Sequence, residues 1–256
     1  MDDVKIIGTF DVTEMLFLAF VFFFIGLVVY LQREGRREGF PLEDEATGRV
    51  DTPGGILSIA SPKTFKMPFG RPTITVPNGP RDPLNRAWAR TFRSPGAPYY
   101  PTGNPLVDGI GPAAWADRAK HTDLDGEGRA RIVPIGATEH ISVHAKDSDP
   151  RGMAVIAADG AVAGTVTDLW VDRAEHIIRY LEVDTGKGKV LAPMGMAKVK
   201  GRSRQVIIDA INASDFSAAP VPVIPGQITL YEEERIMAYF GGGYLYANRD
   251  RQEPLI

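Results

Sequence analysis

The sequence predicts one transmembrane helix near its N-terminal end followed by a larger, mainly-β soluble domain. Three features predict it. Met15–Leu31 is an uncharged apolar run, residues 33 to about 112 are punctuated by Pro and Gly, and short apolar runs separated by turns follow residue 130.

Met15–Leu31 reads MLFLAFVFFFIGLVVYL. With its flanks, Val12 to Gln32, about 21 residues form a helix roughly 31 Å long, the thickness of a hydrocarbon core. The run has no polar face, which argues against a buried core helix. A cleaved signal peptide needs a basic start and a small-residue cleavage site. Here Asp2, Asp3, Asp11 and Glu14 outweigh Lys5, and no A-x-A site precedes the arginines. Arg33, Arg36 and Arg37 should hold their side of the span in the cytoplasm, with the N-terminus on the opposite face. Tyr30 is expected at the membrane interface on the arginine side.

Pro41, Pro53, Pro62, Pro68, Pro72, Pro77, Pro80, Pro83, Pro95, Pro98, Pro101, Pro105 and Pro112 exclude a helix of ordinary length from the next segment. A free linker would lack its aromatics, Phe65, Phe69, Trp88, Phe92, Tyr99, Tyr100 and Trp115. An extended segment laid over another surface is expected, with edge pairing of pieces such as Thr73–Val76.

Beyond it, strands are expected over Arg131–Ile135, Met153–Ala157, Val162–Val171, Ile177–Val183, Val190–Pro193, Gln205–Ile208 and Ile228–Leu230. Turns spaced roughly 8–12 residues apart suggest a small antiparallel barrel or sandwich. Gly164 allows a bulge. A helix at about 232–240 ends at Gly241-Gly242-Gly243. The chain thus divides into a tail over 1–11, a transmembrane helix over 12–32, a Pro/Gly-rich segment over 33–115 and a β domain over 116–256.

The net charge of −3 gives no electrostatic case for nucleic acid. The absence of Cys removes disulfides, thiolate catalysis and Cys-held metals. His140 and His144 have a helical metal-pair spacing, but the intervening Ile-Ser-Val reads as a strand, where residues four apart lie about 13 Å from one another. Asp123-Leu-Asp125-Gly-Glu127-Gly128 starts like a calcium loop, yet Pro134 occupies the position of its bidentate Glu. No phosphate-binding glycine loop, nucleophile elbow or catalytic triad is legible, so neither catalytic nor metal residues are assigned. The densest ionisable cluster runs from Asp168 through Asp172, Arg173, Glu175, His176 and Arg179 to Glu182. It reads either as a polar loop between strands or as a carboxylate network that relays protons.

Arg36–Glu43, Pro62–Phe65, Pro101–Trp115, Asp149–Gly152, Thr167–His176, Arg179–Val183 and Ile228–Ala247 occur in order along nearly the whole chain. In these stretches the sequence closely resembles the H subunit of the purple-bacterial photosynthetic reaction centre. The resemblance implies a PRC-type β-barrel on the cytoplasmic side of the bacterial inner (chromatophore) membrane, with a periplasmic N-terminus. It implies that residues 33–115 pack on the L and M subunits. Those subunits would hold the bacteriochlorophyll, bacteriopheophytin, quinones and non-haem iron, with no cofactor bound directly by this chain. A light-harvesting 1 antenna, a cytochrome subunit and membrane lipids are further implied partners; Arg33, Arg36 and Arg37 could meet anionic headgroups.

The implied roles are to stabilise the core, shield the quinone region and help carry protons to the secondary quinone. Glu175 matches the family's buried carboxylate near that quinone. Asp172 and Arg179 fall in the same network, and Asp125 matches an acidic position where protons are thought to enter. Some members carry two surface histidines just after that position. Glu127 and Arg129 stand there instead, so Asp125 and Glu127 collect protons or intake lies elsewhere, near His121 or His176. Barrel patterning alone would equally suit a membrane-tethered PRC-barrel adaptor; Arg36–Glu43 and Pro101–Trp115 lie outside the barrel and speak against it.

Overall fold

The computed structural model describes residues 5–7, 10–40, 42–43, 49–51, 60–78, 85, 87–94 and 96–252. Pro41, Pro53, Pro80, Pro83 and Pro95 lie outside the described residues. The chain forms two compact units, Met1–Leu84 and Asn85–Ile256.

In the first unit, β1 (Lys5–Ile7) and β2 (Phe10–Asp11) pair ahead of helix α1 (Val12–Glu34). The Asp11 carboxylate caps α1 by accepting from the Glu14 backbone N–H at 2.7 Å. Arg33 in the last turn complements the helix dipole. No residue of α1 is buried, and Phe17, Phe20, Phe22 and Phe23 point outward. The helix is long and apolar enough to cross a membrane. The strand pairs β3 (Leu42–Glu43) with β4 (Val50–Asp51) and β5 (Lys63–Phe65) with β6 (Ile74–Val76) follow. The second contains the expected edge pairing at Thr73–Val76, and Thr64 and Thr75 share a hydroxyl hydrogen bond of 2.8 Å across it.

The second unit opens with the hairpin β7 (Trp88–Arg90) and β8 (Tyr99–Pro101), closed by an edge-to-face contact of Trp88 with Tyr99 at 4.4 Å. Short helix α2 (Pro105–Asp108) is capped by the Asn104 side chain and ends at Gly109, whose φ of 69° suits glycine. Gly109 is also required because a Cβ there would lie 2.1 Å from the Trp115 ring.

The body is a seven-stranded sheet of β9 (Ile132–Pro134), β10 (Ala154–Ile156), β11 (Val162–Asp172), β12 (Ile177–Asp184), β13 (Lys189–Pro193), β14 (Lys198–Lys200) and β15 (Gln205–Ile207). The strand order is β13-β12-β11-β10-β15-β14, with β9 also on β11. All pairs are antiparallel except β10 with β15. The path is open among the described residues. A bulge beside Gly164 bends β11. Val155, Val166, Leu169, Leu181, Val183 and Val206 form the core with Phe216, Ile236 and Phe240.

Three expectations are corrected. Helix α3 runs Leu230–Tyr246, straight through Gly241-Gly242-Gly243. The glycines permit close packing: a Cβ on Gly242 would lie 2.5 Å from that of Ala113, and one on Gly243 2.3 Å from the Ala210 carbonyl oxygen. Ile228–Leu230 is no strand. Thr229 makes a single bridge to Thr122 and caps α3, its hydroxyl accepting from Glu232 N–H while the Glu232 carboxylate accepts from Thr229 N–H at 2.8 Å. His140–His144 is irregular, because Ile141 and Val143 face the core without a partner strand.

Candidate functional site

The β11–β12 hairpin builds the site. Asp172 ends β11 and is fully buried. Its Oδ1 accepts from the backbone N–H of Ala174 (2.9 Å) and Glu175 (3.0 Å), which pins the turn. Its Oδ2 accepts from Arg131 Nε at 2.8 Å, and Arg179 Nε stands 3.9 Å away. Register explains the meeting: Asp172 pairs with Ile132 on β9, so Arg131 arrives beside it. Arg131 also reaches the Asp123 carboxylate at 3.4 Å and donates to Glu175 Oε1. One guanidinium therefore bridges three carboxylates.

Burial pushes the Asp172 carboxyl up, but the Arg131 hydrogen bond and charge and the two backbone donors outweigh it, holding the carboxyl below the usual range. The same contacts raise Arg131. Glu175 is half exposed (49%) in the chain by itself; the buried carboxylate of the hairpin is Asp172.

A cleft of 630 Å³ adjoins the network, lined by Asp123, Arg131, Arg179, Tyr180, Glu233 and Glu234 among others. Tyr180 Oη donates to Glu233 Oε2 at 3.1 Å. Burial raises both groups above their ordinary values. Asp125 and Glu127 occupy a separate turn. Asp125 Oδ1 accepts from the N–H of Glu127 and Arg129, each at 2.9 Å, and Oδ2 from Arg129 Nε at 2.9 Å. Those bonds, the backbone N–H of Arg129 foremost, lower its carboxyl. Glu127, 70% exposed, pairs with Arg129 at 2.7 Å.

Asp172, Glu175 and Arg179 thus meet, while Asp125 and Glu127 form a second cluster. Arg131, Asp123, Tyr180 and Glu233 were missed by sequence reasoning. Arg131 lies 41 residues from Asp172, and no spacing rule joins residues brought together by strand pairing. In the first unit, Arg37 folds back on Glu34 (2.7 Å) and on the carbonyl oxygens of Ser61 and Val76. Arg36 lies over the Phe40 ring at 4.8 Å. Tyr30 and Arg33 line a 300 Å³ cleft with Gly26 and Ser61.

These features define a single-span, membrane-anchored protein whose β domain carries an arginine-bridged carboxylate network. Residues 4–137, over half of the chain, match the family described as photosynthetic reaction centre, H-chain N-terminal region, and residues 143–214 match the PRC-barrel domain. The chain belongs to the photosynthetic reaction-centre H-chain family, whose member in the complex is a non-pigment, non-catalytic subunit associated with the core subunits.

Proposed function

We propose that the chain caps and stabilises the cytoplasmic face of the L and M subunits and helps conduct protons to the secondary quinone during light-driven electron transfer. The observation that carries the reading is the buried Asp172 bridged through Arg131 to Asp123 and Glu175, in a chain whose first half matches the H-chain family. Glu175, exposed on the chain alone, would be covered by the partner and brought toward the quinone. Asp172 and Arg179 would set its charge environment, and Asp125 with Glu127 would stand on the intake side.

In this reading residues 1–11 are periplasmic, 12–32 span the chromatophore membrane, 33–115 lie over partner subunits and 116–256 form the cytoplasmic domain. The exposed aromatics Phe92, Tyr99 and Tyr100 suit burial against the core. Tyr30, Arg33, Arg36 and Arg37 would mark the cytoplasmic interface and its lipids. The pigments, quinones and iron would belong to L and M, with the antenna and a cytochrome subunit as further neighbours.

A near-infrared spectrum of the complex copurifying with this chain tests the assembly. Bacteriochlorophyll bands that bleach reversibly in light are expected; a pigment-free complex from pigmented cells would leave a tethered adaptor as the better account. Glu175→Gln tests conduction: proton uptake coupled to the second electron should slow, and an unchanged rate at neutral pH would remove Glu175 from the route.

A further inference from the structure

Asp172 turns into the carboxylate network, while Arg173 beside it serves none of those carboxylates. The Arg173 backbone N–H donates to the Arg131 carbonyl at 2.9 Å. That bond extends the pairing of β9 with β11 by one residue and sends the Arg173 side chain to the face opposite Asp172. There it lines a cleft of 340 Å³ with Arg129, Thr138, Glu139, His140 and His176.

Arg173 is half-buried and its Nε is closed off from solvent; among the described residues its guanidinium meets no hydrogen-bond acceptor and no carboxylate. A charged donor withdrawn from water and left unpaired is costly, so such a group calls for a partner. Arg235 also has a shielded Nε, but its guanidinium lies over the rings of Trp115 and Tyr231, at 4.9 and 5.7 Å. Arg173 makes no such ring contact among the described residues.

Other donors on the cleft wall are also unspent. Among the described residues, neither the His140 ring nor the His176 ring takes part in a hydrogen bond or ion pair. Arg129 gives Nε to Asp125 and Nη1 to Glu127, which leaves Nη2. Thr138 uses its hydroxyl on the Ile135 carbonyl at 2.8 Å, so recognition falls to the arginines and imidazoles. Against them, Glu139 is the one carboxylate on the wall among the described residues. A carboxylate ligand, with two oxygens in a plane, would satisfy one guanidinium fork. Donors converging from two arginines and two imidazoles suit a tetrahedral oxyanion, whose oxygens accept from several directions.

We propose that this cleft binds a phosphate group, with Arg173 as its principal donor and Arg129, His140 and His176 completing the site. The group has two sources, free phosphate in the surrounding water and the headgroup of an anionic phospholipid. The site goes beyond the proton-conduction reading and does not rest on it, since no proton transfer is asked of these residues.

The test is isothermal titration of inorganic phosphate into the full chain in mild, phosphate-free detergent. Saturable binding is expected. Arg173→Gln should weaken it about tenfold or more, through loss of a charge-assisted pair, and His140→Asn with His176→Asn should weaken it less. Arg202→Gln removes an exposed arginine from a different turn and should leave it unchanged. Thermal melts check the fold of each variant. Should Arg173→Gln unfold, Arg173→Lys takes its place: it keeps the charge, loses the fork and should still weaken binding. No saturable binding, an unchanged affinity in the Arg173 variant, or an equal loss in Arg202→Gln would overturn the site. Repeating the titration in bilayer discs, in salt high enough to screen the disc surface, separates the sources. Weaker phosphate binding in phosphatidylglycerol discs than in phosphatidylcholine discs assigns the cleft to the headgroup, and equal affinity in both assigns it to free phosphate.

Discussion

Replacing Arg131 by Met is the sharpest probe of the hairpin. The change leaves the fully buried Asp172 carboxylate with two backbone donors, and with Arg179 at 3.9 Å as its remaining counter-charge. Removing one partner of a buried pair costs about 3–5 kcal/mol. A ceiling applies. At pH 7 the carboxyl can instead take up a proton, about three pH units above its unfolded value at about 1.4 kcal/mol each, so about 4 kcal/mol at most. With Arg179 compensating in part, about 3 kcal/mol is expected, or a Tm lower by about 6–12 °C. The assay is thermal unfolding of the full chain in mild detergent, followed by tryptophan fluorescence.

Asp172→Asn removes the charge but keeps an oxygen for the two backbone N–H groups, and Arg131 keeps Asp123 and Glu175. It should therefore cost less than Arg131→Met. The pH dependence has a definite sign. Asp172 is lowered in the fold, so its contribution is complete above the unfolded value of about 3.9 and is lost as pH falls further. The gap between parent and Arg131→Met should be full at pH 7 and shrink as pH falls, first between about pH 7 and pH 4 as the unbridged carboxyl of the variant becomes protonated at no cost, then below about pH 4 as the parent loses its own contribution. A Tm change under 2 °C, or a larger loss in Asp172→Asn, would refute the account of a charge held by its bridge.

Four further outcomes are expected. In α3, Gly243→Ala should destabilise by about 1–3 kcal/mol, since its Cβ would sit 2.3 Å from both the Ala210 oxygen and Ile211 Cγ2. Gly241→Ala, with open space around it, should stabilise by about 0.8–1 kcal/mol in the same denaturation series. Thr229→Ala breaks the α3 capping box and should cost about 1 kcal/mol, read as a lower urea midpoint with an unchanged slope. Phe24→Asp places a charge near the centre of the span at about 2.5–3.5 kcal/mol, so the carbonate-resistant membrane fraction should fall sharply.

Local signals in the chain correspond closely to local structure. The apolar run became α1, and Val162–Val171 and Ile177–Val183 became the two long strands. Errors arose where a local signal had a tertiary meaning. Gly241–Gly243 resembled a helix stop, but two of the three glycines serve the approach of Ala113 and Ala210. The alternation of His140–His144 did report which side chains face the core, yet a strand also needs a partner edge. Thr229 carried a strand-like neighbourhood but spends its hydroxyl on a helix cap.

The sequence by itself determined the span and the β class of the domain, because hydrophobic length and periodicity act over a few residues, and the order of its residue identities carried the family resemblance. It also singled out Asp172, Glu175 and Arg179, which lie within one hairpin. Tertiary structure alone decided that Arg131 bridges Asp123, Asp172 and Glu175, that Tyr180 meets Glu233, and that His140 shares a cleft with His176. Strand register and helix docking set those meetings across tens of residues, and the core side chains that fix them are distant in sequence from the charges they bring together.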